Sequence, residues 1–353
     1  MITLGIETSC DETACAIIKN GKALSNVVSS SIHLHKKYGG VIPEIASRCH
    51  IEYINAVLKD AIKKADVKLK DIDLVAVTNG PGLAGSLLVG ISFAKALGYA
   101  LNIPVIGIDH LKAHIYANFI KGAAKDNPGF PFIGLVVSGG HTSISLCRNV
   151  GDFRFLGNTQ DDAAGEAFDK VAKIMGLGYP GGPIIEKKAE RAGRAGNVNF
   201  PRTYLQKGSL DFSFSGVKTA VLYFSKTKDY TQKAIPVVCR SFQEAVFDVI
   251  VDKSFEACRK HRINMLLVGG GVASNKRFCK KMSERALNCS VSLFVPKKCY
   301  CLDNAAMIGV LGEALYAAGK RPAADLKDTI RLRSRPEPRK TSTGFSKAVN
   351  HWR

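Results

Sequence analysis

The residues best placed to do chemistry are two histidines four positions apart, His110 and His114, in the stretch HLKAH that follows the apolar run IPVIGID. On a helix, positions i and i+4 share one face, so two imidazoles can reach one cation. A pair of surface or core histidines would show the same spacing, and a site of two histidines needs further ligands. A zinc peptidase of the H-E-x-x-H kind needs a glutamate after the first histidine to activate water. Here Leu111 stands in that place and no acid lies between the histidines. The stretch therefore offers metal chemistry and argues against proteolysis. Asp11 and Glu12, in TSCDET, fall where the first apolar run turns back. Acids there can remove a proton from an attacking amine or fix a metal through water, although a hydrogen-bonded turn also favours Asp. Cys10 has no neighbouring base in sequence and is expected to be structural.

These groups need elements to hold them. ITLGIETSCDETACAIIKNGKAL reads as strand, small polar turn, strand, with a second turn at Asn20-Gly21. A helical pattern over IPEIASRCHIEYINAVLKDAIKKA follows, then a buried strand, a Gly/Pro loop and a helix in DIDLVAVTNGPGLAGSLLVGISFAKALGYAL. IPVIGIDH is one more buried strand, and HLKAH comes next. The second half opens with FPFIGLVVSGGHTSISLCRNV. Laid over GIETSCDETACAI, it matches Gly5 to Gly134, Ser9 to Ser138 and Thr13 to Thr142 without a gap. Later, INMLLVGGGVASNKRFCKKMSERAL repeats the strand, Gly-rich loop and helix of the first half. Two matches in one order point to a duplicated α/β domain.

Small residues in a strand–turn–strand can hold phosphate oxygens on backbone N–H groups. Val136, Val137, Ser138, Gly139 and Gly140 form such a turn, which a plain hairpin would equally explain. Two such turns facing each other make a nucleotide cleft between domains. The expected fold is thus α/β, with two tandem ribonuclease H-like domains and an interdomain cleft, a layout similar to that of actin, the sugar kinases and the heat-shock ATPases. The expected division is residues 1–128, carrying the HxxxH motif, 129–320, carrying the nucleotide-binding turns, and a basic, flexible tail over 321–353.

The chain has 353 residues and a formal charge of +20, an excess that favours a polyanionic partner, nucleic acid first. A solubility charge would give the same count. The end, IRLRSRPEPRKTSTGFSKAVNHWR, sets Arg331, Arg333, Arg335, Arg339, Lys340, Lys347 and Arg353 against one acid, Glu337. Its two prolines prevent a continuous helix. No apolar run is expected to be long enough or charge-free enough to cross a bilayer. The first strand begins directly after Met1, leaving no room for a leader, so a soluble, cytoplasmic protein without a membrane is expected. Of the ten cysteines no two are spaced C-x-x-C, so most are expected to be buried thiols.

Eight ordered blocks carry a closer resemblance: GIETSCDETACAI, YGGVIPEIASRCH, GPGLAGSLLVG, LVVSGGHTSI, DDAAGEAFDKVAKIMGLGYPGGP, FSFSGVKTAV, GGGVASNKRF and CLDNAAMIG. Over roughly residues 2 to 320 they resemble the tRNA threonylcarbamoyladenosine transferase family, bacterial TsaD type, once called O-sialoglycoprotein endopeptidases. The resemblance implies a metal-dependent enzyme that transfers a threonylcarbamoyl group from threonylcarbamoyl-AMP to the N6 amine of adenosine 37 in tRNAs reading codons that begin with A. AMP is released.

It also implies a third metal ligand, Asp303 in CLDNAAMIG, a residue that could instead cap the following helix. Two imidazoles and one carboxylate with open positions suit one Fe(2+) per subunit, and Zn(2+) nearly as well. The family pattern more usually reads H-x-E-G-H; Lys112 and Ala113 stand there instead. They point away from a shared metal face, and Lys112 is expected to add charge near the cleft. Asp169, Gly182 and Asn275 match the family's nucleotide contacts, with the Val136–Gly140 turn. Glu186 stands where a polar or acidic residue is common. A carboxylate such as Asp169 can accept two ribose hydroxyls, and the glycines before Asn275 let backbone approach a base or ribose. The resemblance further implies an inactive paralogue and a small ATPase as partners. Two other readings remain: an actin-like ATPase or small-molecule kinase, which needs no H-x-x-x-H in its first half, and a nucleotide-holding scaffold.

Overall fold

The structure, a computed structural model, describes residues 1–122, 128–193, 196 and 198–320. The basic tail expected over 321–353 lies outside the described residues. The chain opens with strands β1 (Ile2–Glu7), β2 (Glu12–Lys19) and β3 (Lys22–Ser30). The β2–β3 turn puts Asn20 at φ 53° and Gly21 at φ 77°, the left-handed pair that a two-residue hairpin requires. There follow α1 (Ile32–His35), α2 (Pro43–Ala65), β4 (Leu74–Gly80), α3 (Ala84–Leu101), β5 (Val105–Asp109) and α4 (His110–Tyr116). The second half runs β6 (Phe132–Val137), β7 (Thr142–Asn149), β8 (Asp152–Asn158), α5 (Ala164–Ile174), α6 (Gly181–Ala189), α7 (Ser215–Phe224) and α8 (Ile235–His261). It closes with β9 (Met265–Gly269), α9 (Lys276–Cys289), β10 (Ser292–Phe294) and α10 (Ala305–Ala317).

Duplication is visible in the sheets. The first has the order β3-β2-β1-β4-β5 and the second β8-β7-β6-β9-β10. In each, the first three strands pair antiparallel and the last two join parallel to the central strand. The expected α/β fold of two tandem ribonuclease H-like units is therefore present.

The halves also exchange helices. Helix α10, from the end of the described chain, packs on β1, β2 and β4 of the first sheet. It comes so close that a Cβ on Gly5 would lie 2.2 Å from the carbonyl oxygen of Ala305. Helix α4, from the first half, inserts Leu111 and Ile115 among Phe132, Val136 and Leu267 of the second sheet. Its other face, Ala113 and Tyr116, meets α10 and the first sheet. HLKAH thus opens a short buried helix wedged between the two sheets.

One expectation is corrected here. Helix α3 has 18 residues at mean hydropathy 1.4, long and apolar enough to cross a membrane by length and composition. It packs on β4 and α2 and contributes Leu87, Ile91 and Ala94 to the core, the behaviour of a domain helix. Its apolarity is that of a helix covering a sheet. The cysteines follow expectation in the main: Cys15, Cys49, Cys147, Cys239, Cys258 and Cys301 are buried.

Candidate metal centre and cleft

Strand β5 delivers Asp109 to the start of α4, where its side chain accepts from Lys112 N and caps the helix. The cap fixes the first turn, so His110 and His114 project side by side, ring centroids 4.6 Å apart and planes at 74°. Asp303 arrives from the loop before α10. Its Oδ1 lies 3.6 Å from His110 Nε2 and 3.1 Å from His114 Nε2. The three ligand atoms fall within 4.8 Å of one another, the one such His/Cys/Asp/Glu group among the described residues.

Asp303 does not cap α10. Asn304 does, accepting from Met307 N at 3.1 Å while its Nδ2 holds the carbonyls of Tyr300 and Leu302. With the loop locked by its neighbour, the Asp303 carboxylate is left to the histidines. Both ring nitrogens of His114 are fully buried without a hydrogen-bond partner, since the 3.1 Å approach to Asp303 lacks hydrogen-bond geometry. Buried polar groups are almost always paired. Two imidazoles and a carboxylate converging on one point, with orphaned nitrogens, fit a divalent cation.

A fully buried carboxylate stands behind His110. Glu7 Oε2 lies 3.0 Å from His110 Nδ1 and accepts from Thr78 Oγ1 at 2.7 Å, and Glu7 Oε1 accepts from Ser9 N at 2.5 Å. Burial opposes charge on His110, but Glu7 and Asp303 prevail and hold its pKa at about 9. Burial likewise opposes charge on Asp303, and His110 and His114 hold it well below the usual carboxylate range.

The first hairpin turn, Ser9 to Glu12, faces this group. Its backbone is pinned: Cys10 O accepts from His50 Nε2 at 3.0 Å, and Asp11 O accepts from Ser31 Oγ at 2.9 Å. Glu12 accepts from Ser30 Oγ at 3.2 Å. Burial first, then the negative charges of Asp303 and Asp11, push its carboxyl well above the ordinary value. Burial and the same acids push the Cys10 thiol well up, so it carries no thiolate.

In the second half the turn Ser138–His141 holds itself together: Ser138 N donates to His141 O at 2.8 Å, and His141 N to Ser138 Oγ at 3.2 Å. A Cβ on Gly139 or Gly140 would meet nothing within 4 Å, so both are open. Gly165 lets α5 close behind the turn, where a Cβ would lie 2.7 Å from Ser138 O. Val136 and Val137 are buried in β6 and offer only backbone.

Asp169 Oδ1 accepts from Gly181 N at 2.7 Å and so finishes the start of α6. Burial raises its pKa, the Gly181 bond opposes, and the charge of Asp11 adds to the rise, which brings an acid of the first turn across to α5. Gly182 is open beside it. Glu186 and Asn275 instead complete α9: Glu186 Oε1 accepts from Lys276 N at 2.7 Å, and Asn275 Oδ1 from Phe278 N at 3.0 Å. Asn275 Nδ2 is spent on Gln243 Oε1 at 3.0 Å, leaving mainly backbone for a ligand. The Lys112 Nζ lies 5.1 Å over the Phe153 ring at the start of β8.

Sequence reasoning passed over several residues here. Glu7 ends the buried strand β1 and Thr78 lies within β4, and a charge closing an apolar run was the signal for Glu7. His141 follows the SGG turn directly. Burial lowers its pKa to about 4, helped by the charges of His110 and His114. Tyr179 lies among Asp169, Asp11 and Glu12; burial, then those acids, hold its phenol protonated.

A family model for tRNA N6-adenosine threonylcarbamoyltransferase, TsaD, matches residues 22–310. An enzyme of that name from Thermosipho melanesiensis is 51% identical over 316 residues, 90% of this chain and 95% of its own length. Another from Dictyoglomus turgidum is 48% identical over 322 residues, covering 90% and 95%. Two solved structures share the fold at low identity. T. kodakarensis HypF aligns at TM-score 0.60 and 14% identity, over 90% of this chain and 48% of its own. The activator of the 2-hydroxyisocaproyl-CoA dehydratase from Clostridium difficile, with bound ADPNP, aligns at 0.50 and 16%, over 92% and 100%.

Proposed function

The chain belongs to the tRNA N6-adenosine threonylcarbamoyltransferase family, its reaction is threonylcarbamoyl transfer to the N6 amine of a tRNA adenosine, and from that premise we propose how its residues divide the work. The ATPase or kinase alternative is not favoured, because relatives of this name match nearly the whole chain. The observation that carries the division of labour is the His110–His114–Asp303 group, both histidines buried, facing the acidic first turn.

The donor is threonylcarbamoyl-AMP and the acceptor is adenosine 37. The two halves are the units 1–128 and 129–320. Their cleft takes the adenylate, with its phosphate on the Ser138, Gly139 and Gly140 turn. Asp169, Gly182 and the backbone at Asn275 hold the nucleoside. Glu186 acts by fixing the start of α9. His110, His114 and Asp303 hold one divalent cation, Fe(2+) first and Zn(2+) second. Such a cation, when bound, supplies Lewis acidity toward a carbonyl oxygen. An adenine amine is a poor nucleophile, so proton removal has to accompany attack. The N6–carbon bond forms, the carbon–oxygen bond to the AMP phosphate breaks, and the N6 proton passes to Glu12 or Asp11.

The charge of +20 suits tRNA. Partners are an inactive paralogue and a small ATPase, and the site of work is the cytoplasm, where tRNA is modified. The test is mass spectrometry of nucleosides from unmodified tRNA incubated with purified protein, those partners and threonylcarbamoyl-adenylate. Threonylcarbamoyladenosine that depends on His110 and His114 supports the assignment. Equal product from the His110→Ala/His114→Ala variant would overturn it.

A further inference from the structure

The two histidines are not held alike. Among the described residues no carboxylate stands behind His114, and its Nδ1 is buried without a hydrogen bond. His110 has Glu7, 0% exposed, 3.0 Å from Nδ1 on the side away from Asp303. We propose that Glu7 is a positioning residue of the metal centre: it holds the His110 proton on Nδ1, aims Nε2 at the cation, and ties that ligand to the Ser9–Glu12 turn. The proposal rests on the metal reading above.

The hydrogen-bond inventory of Glu7 leaves one consistent arrangement. Oε1 accepts from Ser9 N, an obligate donor. Oε2 is 2.7 Å from Thr78 Oγ1, which donates to it, and 3.0 Å from His110 Nδ1. A carboxylate in this place accepts only, so Nδ1 must carry hydrogen, and a cation on the Asp303 side would take the place of any hydrogen on Nε2. A carboxylate behind a metal-bound imidazole both fixes its tautomer and raises its basicity. Ser9 adds a second link, its Oγ 3.3 Å from the same Nδ1. One side chain therefore joins β1, β4, α4 and the turn that presents Asp11 and Glu12. A shift of the ligand would be felt by the turn, and the reverse.

Glu7→Gln is nearly isosteric but cannot reproduce this pattern. An amide NH2 at the Oε1 position would face the Ser9 N–H. Placed at Oε2 it would donate to Nδ1, moving the imidazole hydrogen to Nε2, where the cation must bind. The experiment measures the Kd of the purified full chain for Co(2+), by competition with a chromophoric chelator, for the unaltered chain and Glu7→Gln. The expected result is a Kd about ten- to a hundredfold weaker in the variant. Equal Kd values in two folded proteins would overturn the role of Glu7 and leave the metal reading standing. An unaltered chain that binds no Co(2+) would overturn both. A second measurement needs no variant: nitrogen-15 NMR of the Zn(2+)-loaded, histidine-labelled chain should show His110 with hydrogen on Nδ1 and metal on Nε2. Metal on His110 Nδ1 would refute the proposal even if Glu7→Gln failed to fold.

Discussion

The turns after β1 and β6 occupy the same place in two sheets of the same order, yet they are built oppositely. Ser9–Glu12 is crowded with acids, and its backbone is held by Glu7, His50 and Ser31. Ser138–His141 has two open glycines and is held by its own Ser138. A duplicated framework has thus diverged in charge. One turn suits a cation and a proton, and the other leaves amides free for an anion. The exchanged helices make the pairing possible, since α4 and the loop before α10 bring His110, His114 and Asp303 between the two turns.

The largest effect should come from emptying the acidic side. His110→Ala/His114→Ala is expected to abolish metal binding, read by elemental analysis, and transfer with it. Full occupancy in that variant would remove the metal from this side altogether. Next comes Glu12→Gln, which keeps shape but removes the proton acceptor. The transfer rate should fall about a hundredfold or more, the usual worth of a general base, with adenylate affinity unchanged. A loss of affinity instead would mean that this turn also holds the nucleotide.

Much of this arrangement could be read before folding. The Gly5/Gly134 register and the Asn20-Gly21 turn are local signals, and local signals survive without a structure. His110 and His114 were legible because i and i+4 share a helix face. Asp303 came only by resemblance, because nothing in its neighbourhood tells that Asn304 takes the cap and frees it. Glu7 stood out only as a charge closing an apolar run, and its partner was missed because a hydrogen bond 103 positions long leaves no local trace. The exchange of α4 and α10 is likewise a tertiary fact, since neither sequence tells which sheet its helix packs on.

Stability tests the duplication itself. A Cβ at Gly5 would meet backbone, Ala305 O at 2.2 Å and Gly309 N at 2.8 Å, whereas one at Gly134 would meet the end of a side chain, Ile115 Cδ1 at 2.5 Å. Backbone of a packed helix cannot yield as a methyl can. Gly5→Ala should therefore cost about 3 kcal/mol and Gly134→Ala about 1, by urea unfolding. Equal costs would mean that α10 is not seated so closely. On the glycine turn, Gly140→Val has room in the protein but would stand where the proposed phosphate lies. It should weaken adenylate binding roughly tenfold, about 1.4 kcal/mol, with the unfolding midpoint unmoved. Asp169→Ala should weaken it too, and unchanged affinity in both would place the nucleotide elsewhere.

The smallest effect separates the two halves by acid. Glu244 on α8 accepts from Arg277 at 2.6 Å and Lys281 at 2.7 Å on α9, in the second half. Burial pushes its pKa up, but those two cations win and bring it from 4.5 to about 2. A carboxylate with a lowered folded pKa gives stability that is full above its unfolded value and fades as pH falls through the folded one. The Glu244 contribution should therefore be complete above about pH 4.5 and gone near pH 2. Glu12 in the first half has the opposite sign: its raised pKa means that acid favours the folded form there. Because Glu244 is partly open to water, its pairs are worth about 1 kcal/mol. Glu244→Gln should lower the unfolding free energy by that amount at pH 7 and by almost nothing at pH 2.5. Hydrogen exchange on the unaltered chain should show α8 and α9 loosening before the first sheet as pH drops from 5 to 3. Simultaneous loosening, or a Glu244→Gln deficit that persists at pH 2.5, would mean that this ladder does not set the acid response of the second half.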